Sequence, residues 1–293
     1  MQIAIYGINF GESFNDAIYK IFEKLNKNKI KIFIYKPFYD FIEENLFFTP
    51  KVDGFFTNNS DLLDKTDIIF SIGGDGTFLK CVSLIQQKSI PILGINSGRL
   101  GFLAYISKEK ISSVIDKIIE GKYTEEERTL IKIESTKEIF TDFRYGLNEL
   151  TVQKKDSSSM ISIDVFINKK FLNTYWADGL IVSTPTGSTA YSLSVGGPII
   201  APGSENFVIT PIAPHNLTVR PIVLPDNAII RLKVHSRSEN YLAALDFRSE
   251  IVSSDCQITV KKADFKIRMI KPQNINFYTT LRNKLLWGLD KRN

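Results

Sequence analysis

Cysteine is nearly absent: Cys81 and Cys256 are the only two in 293 residues, and neither belongs to a Cys-x-x-Cys pair. That spacing excludes a disulfide framework and a thiolate zinc site. Histidine is equally scarce, and His215 and His235 have no companion Cys ligands, so no protein-built zinc site is expected. His235 reads as an ordinary polar residue near a strand end, whereas His215 lies beside a motif taken up below. The net charge of +5 is spread over single Lys residues and Lys-Lys pairs, with no run of five or more like charges. That pattern fits small anionic molecules and speaks against a dedicated nucleic-acid surface. The start, Met-Gln-Ile-Ala-Ile-Tyr-Gly, has no basic region ahead of an apolar core, and no membrane span is visible. The cytoplasm is therefore the expected compartment.

What is present is an ordinary globular composition, 43% hydrophobic and 24% charged, in a chain long enough for two domains with separate cores. The first third alternates in a βα rhythm. Strands are expected at Gln2 to Tyr6, Ile30 to Tyr35, Asp67 to Ile72 and Ile90 to Ile95. Helices are expected at Asn15 to Leu25, Thr77 to about Gln87, and Lys108 to Glu120 ahead of Gly121. Phe38 to Phe48 is aromatic and acidic without a clear period and reads as a packed loop or short helix. From about Thr129 the period changes to two, as in Ile161/Ile163/Val165/Ile167 and Ile230/Leu232/Val234, with Asn168-Lys169-Lys170 as a hairpin turn. The tail from Phe277 to Leu289 looks helical again. The expected fold is an α/β N-terminal domain with a parallel sheet (1–125), an all-β C-terminal domain (126–271), a layered sheet or sandwich, and a C-terminal helix (272–293) returning to the first domain. A cleft between domains is the expected place for a ligand.

The most informative segment is Ile68 to Leu79, an apolar strand that runs into Gly73-Gly74-Asp75-Gly76-Thr77 and then a helix. Glycines there permit positive φ angles and let backbone N–H groups approach an anion, and the following helix points its positive end the same way. An Asp in such a nest is repelled by phosphate unless a cation or a transferable proton takes part. Asp75 is thus the first candidate for chemistry, against the plainer reading of an Asp that caps a helix starting near Thr77.

A second run, Asp178 to Ser194 followed by Gly196-Gly197-Pro198, takes a strand into a Pro-Thr-Gly turn and a short helix expected to be capped by Ser188 or Thr189. Its hydroxyls and free N–H groups suit a nucleotide with sugar and phosphates; the alternative is an ordinary capped turn. No Gly-x-Ser-x-Gly is present, which speaks against a hydrolase nucleophile elbow. Asn148-Glu149 is expected to end a strand, and an Asn amide offers the donor and acceptor that an adenine edge requires.

Together these pieces resemble the NAD kinase family: Gly73-Gly74-Asp75-Gly76-Thr77, Gly98-Arg99-Leu100-Gly101-Phe102-Leu103, Asn148-Glu149, Asp178-Gly179, the run Thr184 to Tyr191, and Pro214-His215-Asn216-Leu217 with Arg220-Pro221. Gly-Gly-Asp-Gly alone is shared with lipid kinases and phosphofructokinases; the Gly-Ser-Thr-Ala-Tyr run after Asn-Glu narrows the choice. The resemblance implies phosphorylation of the 2′-hydroxyl of the adenosine ribose of NAD by ATP or polyphosphate with Mg²⁺, giving NADP. It implies Asp75 as general base, with Gly73, Gly74, Gly76 and Thr77 as the phosphate-binding loop. It also implies NAD contacts at Asp75, Gly76, Phe102, Asn148, Glu149, Asp178, the segment Thr189, Ala190, Tyr191, Ser192, Leu193 and Ser194, and Ala213. The family is oligomeric, so a homodimer or homotetramer is implied, with no nucleic-acid or membrane partner.

Two positions depart from the family pattern. Trp176 stands where a basic residue is common, and Asp246-Phe247-Arg248 where Asp-Gly-Gln is common. An indole at Trp176 would suit stacking on a ring, and Arg248 would suit a phosphate; both residues also fit structural roles. No multi-carboxylate cage is visible, so the metal is expected to arrive with the nucleotide. The rival readings are a lipid or sphingoid-base kinase, against which no basic amphipathic membrane helix is seen, and an NAD-binding regulator without turnover.

Overall fold

A computed structural model describes residues 1–155, 160–272 and 276–286. Contacts divide the chain into two units, Met1–Glu127 with Ile267–Asn293, and Arg128–Lys266. The boundaries fall within two long strands, at 127/128 and 266/267, rather than at the expected 125/126 and 271/272.

In the first unit the apolar runs become β1 (Gln2–Gly7), β2 (Lys31–Tyr35), β3 (Gly54–Phe56), β4 (Ile68–Gly73) and β5 (Ile92–Asn96). They pair in parallel in the order β3-β2-β1-β4-β5, with Ile3 opposite both Ile32 and Ile68. All six residues of β4 are buried, as expected for a parallel strand covered on both faces. The crossover helices are α1 (Asn15–Lys27), α2 (Lys36–Leu46), α3 (Asp75–Ile85) and α4 (Ile111–Ile119). Helix α1 buries Ala17, Ile18, Ile21, Phe22 and Leu25, one stripe at helical spacing. Segment 36–46, ambiguous in the sequence, is a full helix because Phe38, Tyr39, Ile42 and Leu46 share one buried face; the interspersed acids Asp40, Glu43 and Glu44 and the half-buried Phe41 obscured that period. Helix α4 is preceded by a single 3₁₀ turn at Lys108–Lys110, and Gly121 follows it at φ +68°, where glycine is favoured.

The second unit begins within β6 (Tyr123–Ser135) and continues through β7 (Tyr145–Gly146), β8 (Glu149–Lys154), β9 (Ile161–Ile167), β10 (Lys170–Ala177), β11 (Gly179–Ser183), a one-turn helix α5 (Tyr191–Ser194), β12 (Asn206–Ile212), β13 (Ile222–Pro225), β14 (Ile230–His235), β15 (Asn240–Leu245), β16 (Arg248–Ser253) and β17 (Gln257–Pro272). One antiparallel sheet runs β13-β12-β11-β8-β15-β16; β10-β9-β14-β17 forms the other antiparallel array. Alternate residues of both, including Leu150, Val152, Val182 and Tyr241 from the first and Ile163, Val165, Leu232 and Ile258 from the second, close on one core. That is a sandwich built on the two-residue period. Asn168 and Lys169 adopt φ +50° and +69° between β9 and β10, the left-handed pair of a tight hairpin turn.

Strand β17 carries the chain back into the first unit, where Met269 pairs with Ile92, and α6 (Phe277–Leu285) follows. Asn276 caps α6 by accepting from the Thr279 N–H. The expected helix extended to Leu289; positions from 287 on lie outside the described residues. Among the described residues no helix is long and apolar enough to cross a membrane.

Candidate functional site

Strand β4 ends at Gly73, whose φ of +155° and whose missing Cβ are both required: a Cβ there would sit 2.2 Å from Thr77 Oγ1. Gly74 and Gly76 take ordinary dihedrals, contrary to the expectation of positive φ at all three, and a Cβ on either would meet open space. Helix α3 starts two residues earlier than expected, so Asp75 is its first residue and Gly74 its cap. Asp75 therefore does not cap the helix with its side chain. Instead its carboxylate reaches across to the loop after β5. Oδ2 accepts from the Phe102 N–H at 2.9 Å, and Oδ1 accepts from the N–H groups of Leu103 and Ala104, each at 2.9 Å.

That loop is shaped for the purpose. Asn96 at the end of β5 accepts from the Gly98 N–H at 2.9 Å and donates to the Arg99 carbonyl at 2.6 Å. A Cβ on Gly101 would lie 1.9 Å from Asp75 Oδ1, and one on Gly94 would lie 2.3 Å from the Leu103 carbonyl oxygen. Both glycines are thus fixed by close approach. Gly74 and Gly76 are exposed, and Asp75 and Thr77 are half-buried, so this rim of the nest faces solvent. Lys284 of α6 brings its ammonium within 3.5 Å of Asp75 Oδ2 and over the Phe102 ring, 4.6 Å from its centre. Among the described residues no group of three or more His, Cys, Asp and Glu side chains is placed to hold a metal ion.

In the second unit a carboxylate again gathers three amides. Asp246, at φ +55° in the turn between β15 and β16, accepts from the N–H groups of Leu147 (2.8 Å), Asn148 (2.8 Å) and Glu149 (3.1 Å). These amides are therefore diverted from strand pairing, which is why β8 opens at Glu149, with Asn148 just before it, instead of the pair ending a strand, and why the Phe143/Tyr145/Leu147 alternation yields only the two-residue β7. Asn148 and Glu149 are both 8% exposed. Burial, and then the charge of Asp246, push the Glu149 carboxyl up to about 8, and its Oε2 has no protein partner. Burial raises Asp246 too, with the three amides pulling the other way. At neutral pH a Glu149 carboxyl raised to about 8 is largely protonated, a donor as well as an acceptor.

The hydroxyl-rich turn clamps the same backbone. Thr184 donates its hydroxyl to the Leu147 carbonyl at 2.6 Å and accepts from the Gly187 N–H at 3.1 Å, while its own N–H donates to the Asn148 carbonyl at 2.9 Å. A Cβ on Gly187 would lie 2.1 Å from that carbonyl oxygen. Ser188 and Thr189, expected as caps, do not cap α5: their hydroxyls donate to the carbonyls of Pro185 and Thr186. Ser192 is fully buried, sharing a hydrogen bond with Thr210 at 2.9 Å, whereas Tyr191 and Ser194 are exposed and Thr189, Ala190 and Leu193 are half-buried.

Asp178 pairs with Lys154 at 2.7 Å, and its N–H donates to the Ile212 carbonyl. Ala213 follows at φ +43°, and the His215 N–H donates to the Trp176 carbonyl at 2.8 Å, so Trp176, Asp178, Ala213 and His215 gather at one edge of this unit. The indole of Trp176 is 59% exposed. Arg248, expected as a tentative phosphate contact, donates instead to the carbonyls of Phe143 and Tyr145 and lies against the Phe140, Phe143 and Phe247 rings.

Residues 48–123 match the model of the ATP-NAD kinase N-terminal domain, and residues 147–272 match that of the ATP-NAD kinase C-terminal domain. The chain belongs to the NAD kinase family. With that family it is a phosphotransferase. Relatives named NAD kinase include one from Cytophaga hutchinsonii, 47% identical over 293 residues, and one from Flavobacterium psychrophilum, 47% identical over 295; each alignment covers all of both chains. Among solved structures, an NAD kinase from Archaeoglobus fulgidus in complex with ATP superposes with a TM-score of 0.75 at 26% identity, covering 98% of this chain and 99% of that one. The fold is also that of a yeast NADH kinase complexed with NADH, with a TM-score of 0.87 at 23% identity over 99% of this chain and 88% of that one.

Within the NAD kinase family pattern, the motif residues assemble locally as two carboxylate-and-amide constellations, one per unit. Sequence reading missed Asn96, which fixes the loop, Gly94, which admits it, the amide-gathering role of Asp246, and Lys284. Only Gly94, a glycine inside an apolar strand, carried a signal of close backbone approach.

Proposed function

We propose that this chain transfers the γ-phosphoryl group of ATP, or of another donor such as polyphosphate, to the 2′-hydroxyl of the adenosine ribose of NAD, giving NADP. Mg²⁺ enters with the donor as part of the substrate, held by phosphate oxygens and water, since Asp75 is the one carboxylate in the glycine loop and three amides already bind it. The ribose oxygen bonds to the γ-phosphorus, the bond from that phosphorus to the bridging oxygen breaks with its electron pair leaving on ADP, and the hydroxyl proton passes to Asp75. Charge on the phosphoryl group is met by the Gly73–Gly74 amides and the start of α3.

The observation that carries this reading is the posture of Asp75. Three amides fix the carboxylate in one orientation at the solvent-facing rim of the glycine loop, which is the pre-organisation a general base needs. Two of them bind Oδ1 and one binds Oδ2, so the remaining lone pair on Oδ2 is the one that takes the proton. In the second unit, Asn148 and a protonated Glu149 supply donors and acceptors for the adenosine. The proposal includes a homodimer or homotetramer, as the family resemblance implies, with the cytoplasm as its compartment.

The direct test is to incubate the protein with NAD, ATP and Mg²⁺ and follow NADP with a dehydrogenase specific for it, repeating with polyphosphate. NADP that accumulates in proportion to enzyme is the expected result. A folded protein that binds NAD yet yields no NADP with either donor would leave the regulator reading in its place.

A further inference from the structure

Asp75 presents a difficulty that its amide cradle does not solve. It is an anion at the lip of a loop suited to polyphosphate, and only a nearby cation lets both occupy that neighbourhood. Among the described residues Lys284 is the cation whose ammonium lies against this carboxylate.

The contact is also unusually placed. Each carboxylate oxygen offers about two lone pairs. Oδ1 spends both on Leu103 and Ala104, Oδ2 spends one on Phe102, and Lys284 Nζ faces Oδ2 at 3.5 Å. In this arrangement the ammonium stands at the lone pair through which Asp75 would accept a proton. The distance is well outside the ~2.7–2.9 Å of a tight charge-assisted bond, and both side chains are about 30% exposed, so the pair is weakly held. The Phe102 face, 4.6 Å away, supports the lysine head without using its N–H donors, and Phe277 lies beside Phe102 with ring centres 6.4 Å apart.

We propose that Lys284 is a phosphoryl-donor contact that rests on Asp75 when no donor is bound and turns to the terminal phosphates when one is. This rests on the reading above, that the glycine loop receives a polyphosphate. A triphosphate carries several charges, whereas the Asp75 carboxylate is already served by three amides, so the phosphate is the stronger partner for the ammonium. The exchange has two consequences. It clears Oδ2 for the hydroxyl proton, and it places a cation where negative charge builds on the transferring group. Donor binding thereby switches the base on, which disfavours proton abstraction from an acceptor bound alone.

The test compares Lys284→Met and Lys284→Arg with the wild type. Loss of a charge-assisted contact to phosphate should raise the donor KM by about 10-fold or more in Lys284→Met. The KM for NAD should stay within about twofold, melting temperature should hold, and Lys284→Arg should recover most of the donor KM. An unchanged donor KM in Lys284→Met, or NAD and donor KM rising together, would overturn the inference. A second measurement avoids variants: acetylation of Lys284 in the wild type, read by mass spectrometry, should slow with ATP or tripolyphosphate and not with NAD. Equal labelling with and without ATP contradicts it. Because labelling needs no turnover, a wild type that makes no NADP would remove the acceptor assignment while this protection stood or fell by itself.

Discussion

Two carboxylates among the described residues, Asp75 and Asp246, each accept from three consecutive backbone amides, 102–104 and 147–149 respectively. The device is the same and its surroundings separate the uses. Asp75 sits at an open rim with one Oδ2 lone pair facing the loosely held Lys284 ammonium, while Asp246 shapes the backbone around Asn148 and Glu149. Burial beside Asp246 has a measurable cost. Because the Glu149 carboxyl is raised to about 8 from the ordinary 4.5 of a glutamate, the folded state holds a proton that the unfolded state releases between those values. Stability contributed through this group is therefore full below the unfolded value and declines as pH rises through the window, by at most about 1.4 kcal/mol per unit. Urea unfolding from pH 5 to 8 should show the wild type losing ground to Glu149→Gln with rising pH; parallel curves would refute it. At this scale the glycine loop and its Asp were legible, since they are contiguous. The pairing of that Asp was not: Phe102, already implied as a site residue by the resemblance, and Lys284 lie 27 and 209 residues away, and no local pattern pairs them with Asp75.

Element by element, the period of apolar residues specified most of what formed. Helix α1 and strands β1, β2, β4, β9 and β14 arise where a single face or a fully buried strand is written plainly in Ile, Leu, Val and Phe. The misreadings share one cause, side chains that compete with or mask the backbone pattern. Asp246 takes the amides that would have extended β7 into β8, and the interspersed acids Asp40, Glu43 and Glu44 hid the buried stripe of α2. The β9–β10 hairpin gives a direct check of the local reading. Asn168-Lys169 adopts the left-handed geometry that Asn-Gly fills most easily, and Lys169 at φ +69° is strained by its Cβ. Replacing Lys169 with Gly should raise the unfolding free energy by roughly 0.5 kcal/mol, the relief of that strain less the added entropy of the unfolded chain. A drop in urea midpoint would show that the turn is not held as described.

For the whole molecule, the two units bring different chemistry. The parallel-sheet unit ends β4 in the glycine loop at the carboxyl end of the strands, the position open α/β sheets use for ligands, and carries Asp75, its amide cradle and Lys284. The sandwich unit supplies buried donors and acceptors around Asn148 and Glu149. The chain passes between the units inside β6 and β17, so each boundary lies within a regular strand, where a change of composition leaves no mark in the sequence. The central claim is that Asp75 removes the proton of the accepting hydroxyl, and Asp75→Asn tests it most directly. NADP formation at saturating NAD and ATP should fall by about 10²–10⁴-fold while NAD affinity by calorimetry and the far-ultraviolet spectrum stay those of the wild type. Turnover within a few-fold of wild type in a variant that binds NAD normally would contradict the account.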